Sequence, residues 1–125
     1  MSFAPENINV WMEIPVTDMD RAITFYNSVL QTDMKKDETG PNPMAMFPTT
    51  DGSGVAGHLY PGKPAPVGAG STIHLASPDA LEVALERVKE AGGKVLSDPI
   101  TIPVGRFAYC LDLDGNSIGL FTYGA

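Results

Sequence analysis

The chain reads as an α+β fold built from two βαβββ modules, and three features of the sequence predict it. Its 125 residues fit one domain, and neither half has enough surface to bury a core alone. Two amphipathic helical stripes recur, one beginning at Ala22 and the other at Leu81. Short strand-like stretches bounded by glycine, proline and Asp-Gly turns surround each stripe in the same order. That spacing is too long for a solenoid repeat and indicates a single duplication.

Each element follows from its local pattern. Residues 8–16 alternate as a strand, with Ile8, Val10, Met12 and Ile14 on one face and Asn9, Trp11, Glu13 and Pro15 on the other. The aliphatic face is expected to pack under the helices, leaving Trp11 and Glu13 to look the other way. Thr17-Asp18 can cap a helix whose buried stripe is Ala22, Phe25, Tyr26, Val29 and Leu30. Strand-like stretches follow around 33–37, 44–48 and 55–60, with a tight turn at Asp51-Gly52. Residues 61–70 form a surface connection. The second module opens on a strand at 71–76. Ser77-Pro78 then supplies an N-cap hydroxyl and a proline at the first helical position. The second stripe is Leu81, Ala84, Leu85 and Val88, ended by Gly92-Gly93. Strands are predicted at 94–96, 106–111 and 117–122, with Asp114-Gly115-Asn116 turning between the last two. Module one thus covers about 8–60 and module two about 71–123, within a single domain spanning 1–125.

Composition narrows the partners. Eight basic and 15 acidic side chains give a net charge of −7, which repels phosphate backbones and anionic lipid. Neither nucleic acid nor a membrane is expected as a partner. One cysteine, Cys110, allows neither an internal disulfide nor a cysteine-based zinc site. The start Met1-Ser2-Phe3-Ala4 lacks the features of a secretion signal, so a cytoplasmic protein is expected.

The run Ile14-Pro15-Val16-Thr17-Asp18-Met19-Asp20-Arg21-Ala22-Ile23, followed by Phe25-Tyr26 and Val29-Leu30, resembles the opening of the vicinal oxygen chelate superfamily. That superfamily includes glyoxalase I, bleomycin-resistance proteins, fosfomycin-resistance enzymes and extradiol dioxygenases. In the second half, Leu85-Glu86-Arg87-Val88-Lys89-Glu90-Ala91-Gly92-Gly93-Lys94-Val95 and Asp112-Leu113-Asp114-Gly115-Asn116-Ser117-Ile118-Gly119-Leu120 agree with it. The likeness covers about residues 8–123 and is closest to the single-chain, two-module glyoxalase-like branch. It implies a curled mixed sheet around a cleft with helices outside. It says little about chemistry, because this scaffold hosts unrelated reactions.

In metal-dependent relatives the first and last strands of each module supply one ligand each to a divalent ion, which polarises two substrate oxygens. Carried across, these positions fall on Trp11, on His58 beside Gly57, on Ile73 or His74, and on Gly119. Trp11 and Gly119 cannot ligate, so no standard metal site and no cofactor are expected. A makeshift set of Glu13, His58 and His74 offers a carboxylate and two imidazoles. The plainer alternative is that each histidine is a hydrogen-bonded cleft-wall or surface residue.

Other motifs lack the context their chemistry needs. Gly52-Ser53-Gly54-Val55-Ala56-Gly57 spells G-x-G-x-x-G but is followed by Leu59-Tyr60-Pro61-Gly62 rather than a helix. Asp112, Asp114 and Asn116 begin like a calcium loop, yet Tyr123 stands where the bidentate glutamate belongs. Cys110 sits in an apolar strand, where a thiol is inert.

The expected ligand-binding cleft is therefore lined by Trp11, Glu13, Met46, His58, His74 and Tyr109. One class of function is a metal-independent binder of a small aromatic or cationic molecule, lacking glyoxalase I activity, with Trp11 as stacking face and Glu13 as counter-charge. The other is a lyase- or dioxygenase-type enzyme for a small carbonyl or aromatic compound, using the makeshift triad or Glu13 as general base. A homodimer is expected, since superfamily members commonly pair modules between chains and open sheet edges need cover.

Overall fold

The computed structural model describes residues 2–124. Strand β1 (Met12–Val16) leads into α1 (Met19–Leu30), β2 (Ala45–Met46) and β3 (Gly57–Pro61). The second module runs β4 (Ile73–Ala76), α2 (Leu81–Glu90), β5 (Lys94–Val95), β6 (Ile100–Ile102), β7 (Gly105–Leu111) and β8 (Ser117–Tyr123). The architecture is α+β, with two mixed sheets ordered β1-β3-β2 and β4-β8-β7-β5, and β6 pairing with β7. In each sheet the first strand of the module lies parallel to the last, β1 beside β3 and β4 beside β8. The fold is thus a repeated unit. No helix among the described residues is long and apolar enough to cross a membrane.

Local chemistry explains the helices. The Asp18 carboxylate accepts from the Arg21 amide at 3.1 Å and caps α1. Gln31 closes the helix in the left-handed region at φ 57°, with the Thr32 amide returning to the Asn27 carbonyl. All five residues of the predicted α1 stripe are buried, as are the four of α2. The two stripes meet in one core with Ile14, Val16 and Leu59 from the first sheet and Leu75, Ala108, Cys110, Ile118 and Leu120 from the second. Each fully buried aliphatic or aromatic side chain there contributes roughly 1.5–3 kcal/mol.

Polar bonds lock the modules together at the turn before β8. The buried Asp112 carboxylate accepts from Tyr26 Oη at 2.6 Å and from the Asp114 and Asn116 amides and Asn116 Nδ2, each at 2.9 Å. Asn116 Nδ2 also donates to the Pro15 carbonyl at 2.9 Å, and Thr17 Oγ1 to Asp114 at 2.6 Å. The acidic turn is a module junction. Nearby, Arg87 Nε reaches the Val29 carbonyl at 3.1 Å, tying α2 to α1.

Several boundaries differ from the sequence expectation. The first strand begins at Met12, and Ile8 and Val10 lie outside it in contact with solvent. The predicted strand at 33–37 shrinks to one bridge between Asp37 and Met44. Residues 50–52 form a short 3-10 turn, not a two-residue hairpin. Helix α2 starts at Leu81, three residues after Pro78. Its N-cap is Ala80, which has no capping side chain, while the Ser77 hydroxyl bonds to the Asp79 carbonyl. The hairpin of β6 with β7 has no counterpart in module one and was not predicted.

Candidate functional site

Strand alternation gives each sheet a helix-facing side and an open side. On β1 and β3, Ile14, Val16 and Leu59 face the helices, while Glu13, Pro15, His58 and Tyr60 take the other side. On β4, β7 and β8, Leu75, Ala108, Cys110, Ile118 and Leu120 point inward, leaving His74, Phe107, Tyr109, Gly119 and Phe121 on the open side. The register therefore settles the one-residue ambiguity between Ile73 and His74: the imidazole belongs to the open face. All six residues expected in the cleft lie on open faces, but the chain gathers them into two groups.

The first group is Trp11, Glu13, Met46 and His58. Glu13 and Met46 are the direct cross-strand neighbours of His58 on either side. Trp11 lies just before β1, and its indole N–H donates to His58 Nδ1 at 2.9 Å. An indole can only donate, so Nδ1 must offer its lone pair and the ring proton belongs on Nε2. That nitrogen sits 3.3 Å from Glu13 Oε1. Nδ1 is thus occupied by a hydrogen bond, and Nε2 lies close to a carboxylate. His58 is largely covered by its neighbours, Glu13 is mostly solvent-exposed and Trp11 is 41% exposed, so the indole is a partly open wall and not core filling. Tyr60 joins the group edge-on to His58, with ring centroids 6.2 Å apart.

The second group centres on His74. The register places His74, Gly119 and Tyr109 side by side across β4, β8 and β7. A side chain at 119 would collide with the His74 ring, so the missing Cβ is what lets the imidazole lie over β8. There Phe107 stands edge-on at 5.2 Å, with Tyr109 at 5.9 Å and Phe121 at 6.2 Å. Tyr60, Phe107 and Phe121 escaped the sequence reading. Strand alternation would have found them, since each lies two positions from His58, Tyr109 or Gly119 on the same face.

Glu13 and His58 do not meet His74. Among the described residues no three His, Cys, Asp or Glu side chains come together in a way that could hold an ion. The remaining candidates have structural roles. Burial pushes the Cys110 thiol up to about 11, and the group lies beneath the sheet. Gly57 opens β3, where a Cβ would strike the Met12 backbone.

A family model described as Glyoxalase/Bleomycin resistance protein/Dioxygenase superfamily matches residues 8–120. No curated protein matches the chain. Among solved structures, a glyoxalase/bleomycin resistance protein from Streptomyces sp. CB03234 is 26% identical with a TM-score of 0.65, covering 90% of this chain and 98% of that one. TnmS3, an antibiotic binding protein from the same organism, is 25% identical with a TM-score of 0.64, covering 98% and 100%. A glyoxalase I mutant from Zea mays shares the fold at 22% identity and a TM-score of 0.67. The match covers 90% of this chain but 46% of the maize one.

Proposed function

The chain belongs to the Glyoxalase/Bleomycin resistance protein/Dioxygenase superfamily, and on that premise we propose that it is a small-molecule-binding protein with a degenerate metal site and no glyoxalase I activity. The observation that carries this reading is the state of His58. Its Nδ1 lone pair is taken by the Trp11 indole and its Nε2 faces Glu13, so neither nitrogen is free to ligate. Gly119 brings no donor, and the His74 ring fills the space a ligand there would use. These residues do not fit the family's ion.

They fit a ligand with an aromatic or cationic part better. Trp11 offers a half-exposed π-face, Glu13 a nearby negative charge, and Met46 an adaptable apolar contact. The likeness to an antibiotic binding protein supports the binder class. Dimerisation belongs to the same reading: each sheet leaves a face open, and Met46, Tyr109 and Tyr123 are exposed on them.

Thermal-shift screening of cationic aromatic metabolites and antibiotics tests the proposal, because a ligand selective for the native state raises Tm by mass action. A hit whose shift disappears in Trp11→Ala is the expected result. Turnover of the methylglyoxal–glutathione hemithioacetal well above background, with nickel or zinc added, would refute it. The 3.3 Å approach of Glu13 to His58 favours one second reading, a carboxylate–imidazole pair acting as general base on a small carbonyl compound. Activity abolished in Glu13→Gln would identify it.

A further inference from the structure

Glu13 is a carboxylate without a matching cation. Among the described residues no lysine or arginine pairs with it, and its one close ionisable neighbour is His58, whose Nε2 lies 3.3 Å from Oε1. The same residue lines a cavity of about 180 Å³ where β1 meets the second module. The apolar walls are Ile14 and Pro15 of β1, Ile73 of β4, Ile118 of β8, and Ala65 and Ala69 of the connection between modules.

Bonds that already join the modules hold this space open. Asn116 Nδ2 ties the start of β8 to the Pro15 carbonyl at 2.9 Å, and the Gly68 amide ties the connection to the Gly115 carbonyl at 2.9 Å. The Thr72 and Ser117 hydroxyls, 2.6 Å apart, join β4 to β8 beside it. Size limits the occupant. An apolar cavity of about 150 Å³ accommodates benzene, whereas drug-sized ligands need roughly 300–1,000 Å³. The space therefore takes a six-carbon ring or a branched alkyl group and no more. Polarity limits it further. The polar side chains at the cavity are Glu13, Ser71, Asn116 and Ser117, and none is a cation. Asn116 spends its N–H groups on Pro15 and Asp112, so the end it has left is the carbonyl oxygen. A carboxylate and an amide oxygen can only accept. A ligand bringing only acceptors leaves both unpaired, and an anion is repelled; a cation with N–H donors satisfies them. The net charge of −7 draws such ions to the surface.

We propose that this cavity holds the hydrocarbon end of a small aryl- or alkylammonium ion, with the ammonium group at its mouth against Glu13. The assignment rests on the binder reading above and narrows its ligand to one chemical class. It also gives Glu13 a role separate from its contact with His58: the carboxylate stands between the open face and the junction of the modules.

Titration of the intact chain with benzylammonium tests this, followed by isoleucine methyl resonances and ring-to-methyl NOEs, with benzyl alcohol and benzoate as matched probes. Benzylammonium should shift the methyls of Ile14, Ile73 and Ile118 saturably and show NOEs to them. It should bind roughly fivefold or more tightly than benzyl alcohol, the scale of one partly exposed charge pair, and benzoate should not bind. Glu13→Gln should erase the preference for the ammonium and leave the affinity for the alcohol unchanged. NOEs confined to Trp11 and Met46 would overturn the cavity assignment and leave the binder reading standing. Equal affinity for the three probes, or no saturable shift from any of them, would also overturn it, while the binder reading keeps its own test in the Trp11-dependent screen. The probe series and the NOEs use the unaltered protein, so they decide the matter even if the variant unfolds.

Discussion

Removing the hydroxyl of Tyr26 should reveal how firmly the two modules are joined. Tyr26 is fully buried, and its hydroxyl donates to Asp112 at 2.6 Å across 86 residues of sequence. Tyr26→Phe keeps the ring and its edge-on packing with Phe25 and Phe47, at 5.0 and 5.5 Å, so no large cavity opens. What is lost is a hydrogen bond to a carboxylate, worth about 1.5–3 kcal/mol. The loss should stay in that band and not reach the larger penalty of an orphaned buried charge, because three N–H donors still hold Asp112. Burial, with the charge of Asp112 added, raises the Tyr26 pKa well above its ordinary 10.0. The folded phenol therefore holds its proton longer than the unfolded one. That contribution is fully present below pH 10 and is lost as pH climbs toward the folded value. Urea unfolding at pH 7 and across pH 9–11 measures both effects. The wild type should lose stability above pH 10, and the variant should be less stable at pH 7 with a flatter alkaline limb. A variant within about 0.5 kcal/mol of wild type at pH 7 would show that the bond contributes nothing net, and would refute the junction as described.

Trp11→Ala should weaken binding of any cleft ligand by roughly 1–3 kcal/mol, the scale of one stacked aromatic contact, and abolish the ligand-dependent fluorescence change of the only tryptophan. Its melting curve should move much less than for a core aromatic, so a collapse in stability with unchanged affinity per folded molecule would place the indole in the core instead. Ala80→Ser should stabilise α2 by about 0.5–1 kcal/mol, because the cap position lacks a side-chain acceptor; an unchanged urea midpoint would argue against it. Treatment with a strong chelator should leave Tm unchanged, whereas a fall of many degrees would reveal a structural ion.

The local patterns in this sequence were sufficient for both helices and for the sidedness of the long strands. Ala22, Phe25, Tyr26, Val29 and Leu30 must share a helical face at 3.6 residues per turn, and period-2 alternation fixes which side His58 and Tyr109 take once a strand exists. The same alternation put Trp11 and Glu13 together on the face opposite Ile8, Val10, Met12 and Ile14. These consequences need only neighbours along the chain.

Tertiary structure decided what depends on contacts between distant residues. Whether Ile8 and Val10 belong to a strand depends on a pairing partner, and β3 offers one only from Gly57, opposite Met12. Ser77-Pro78 has the chemistry of a helix start, but the β4–β8 ladder extends to the Ser77 amide and holds that residue out of the helix, which begins at Leu81. Asp112, Asp114 and Asn116 look in sequence like ligands or a plain turn; the fold uses them as acceptors and donors for Tyr26, Thr17 and Pro15 in the other module. The grouping of the six cleft residues is likewise nonlocal. Glu13 meets His58 because β1 and β3 are paired in register, while His74 lies with Tyr109 because Gly119 leaves room for its ring. A sequence states which side chains are available, but distances between them come from strand pairing and from empty space, and neither is encoded within one short window of residues.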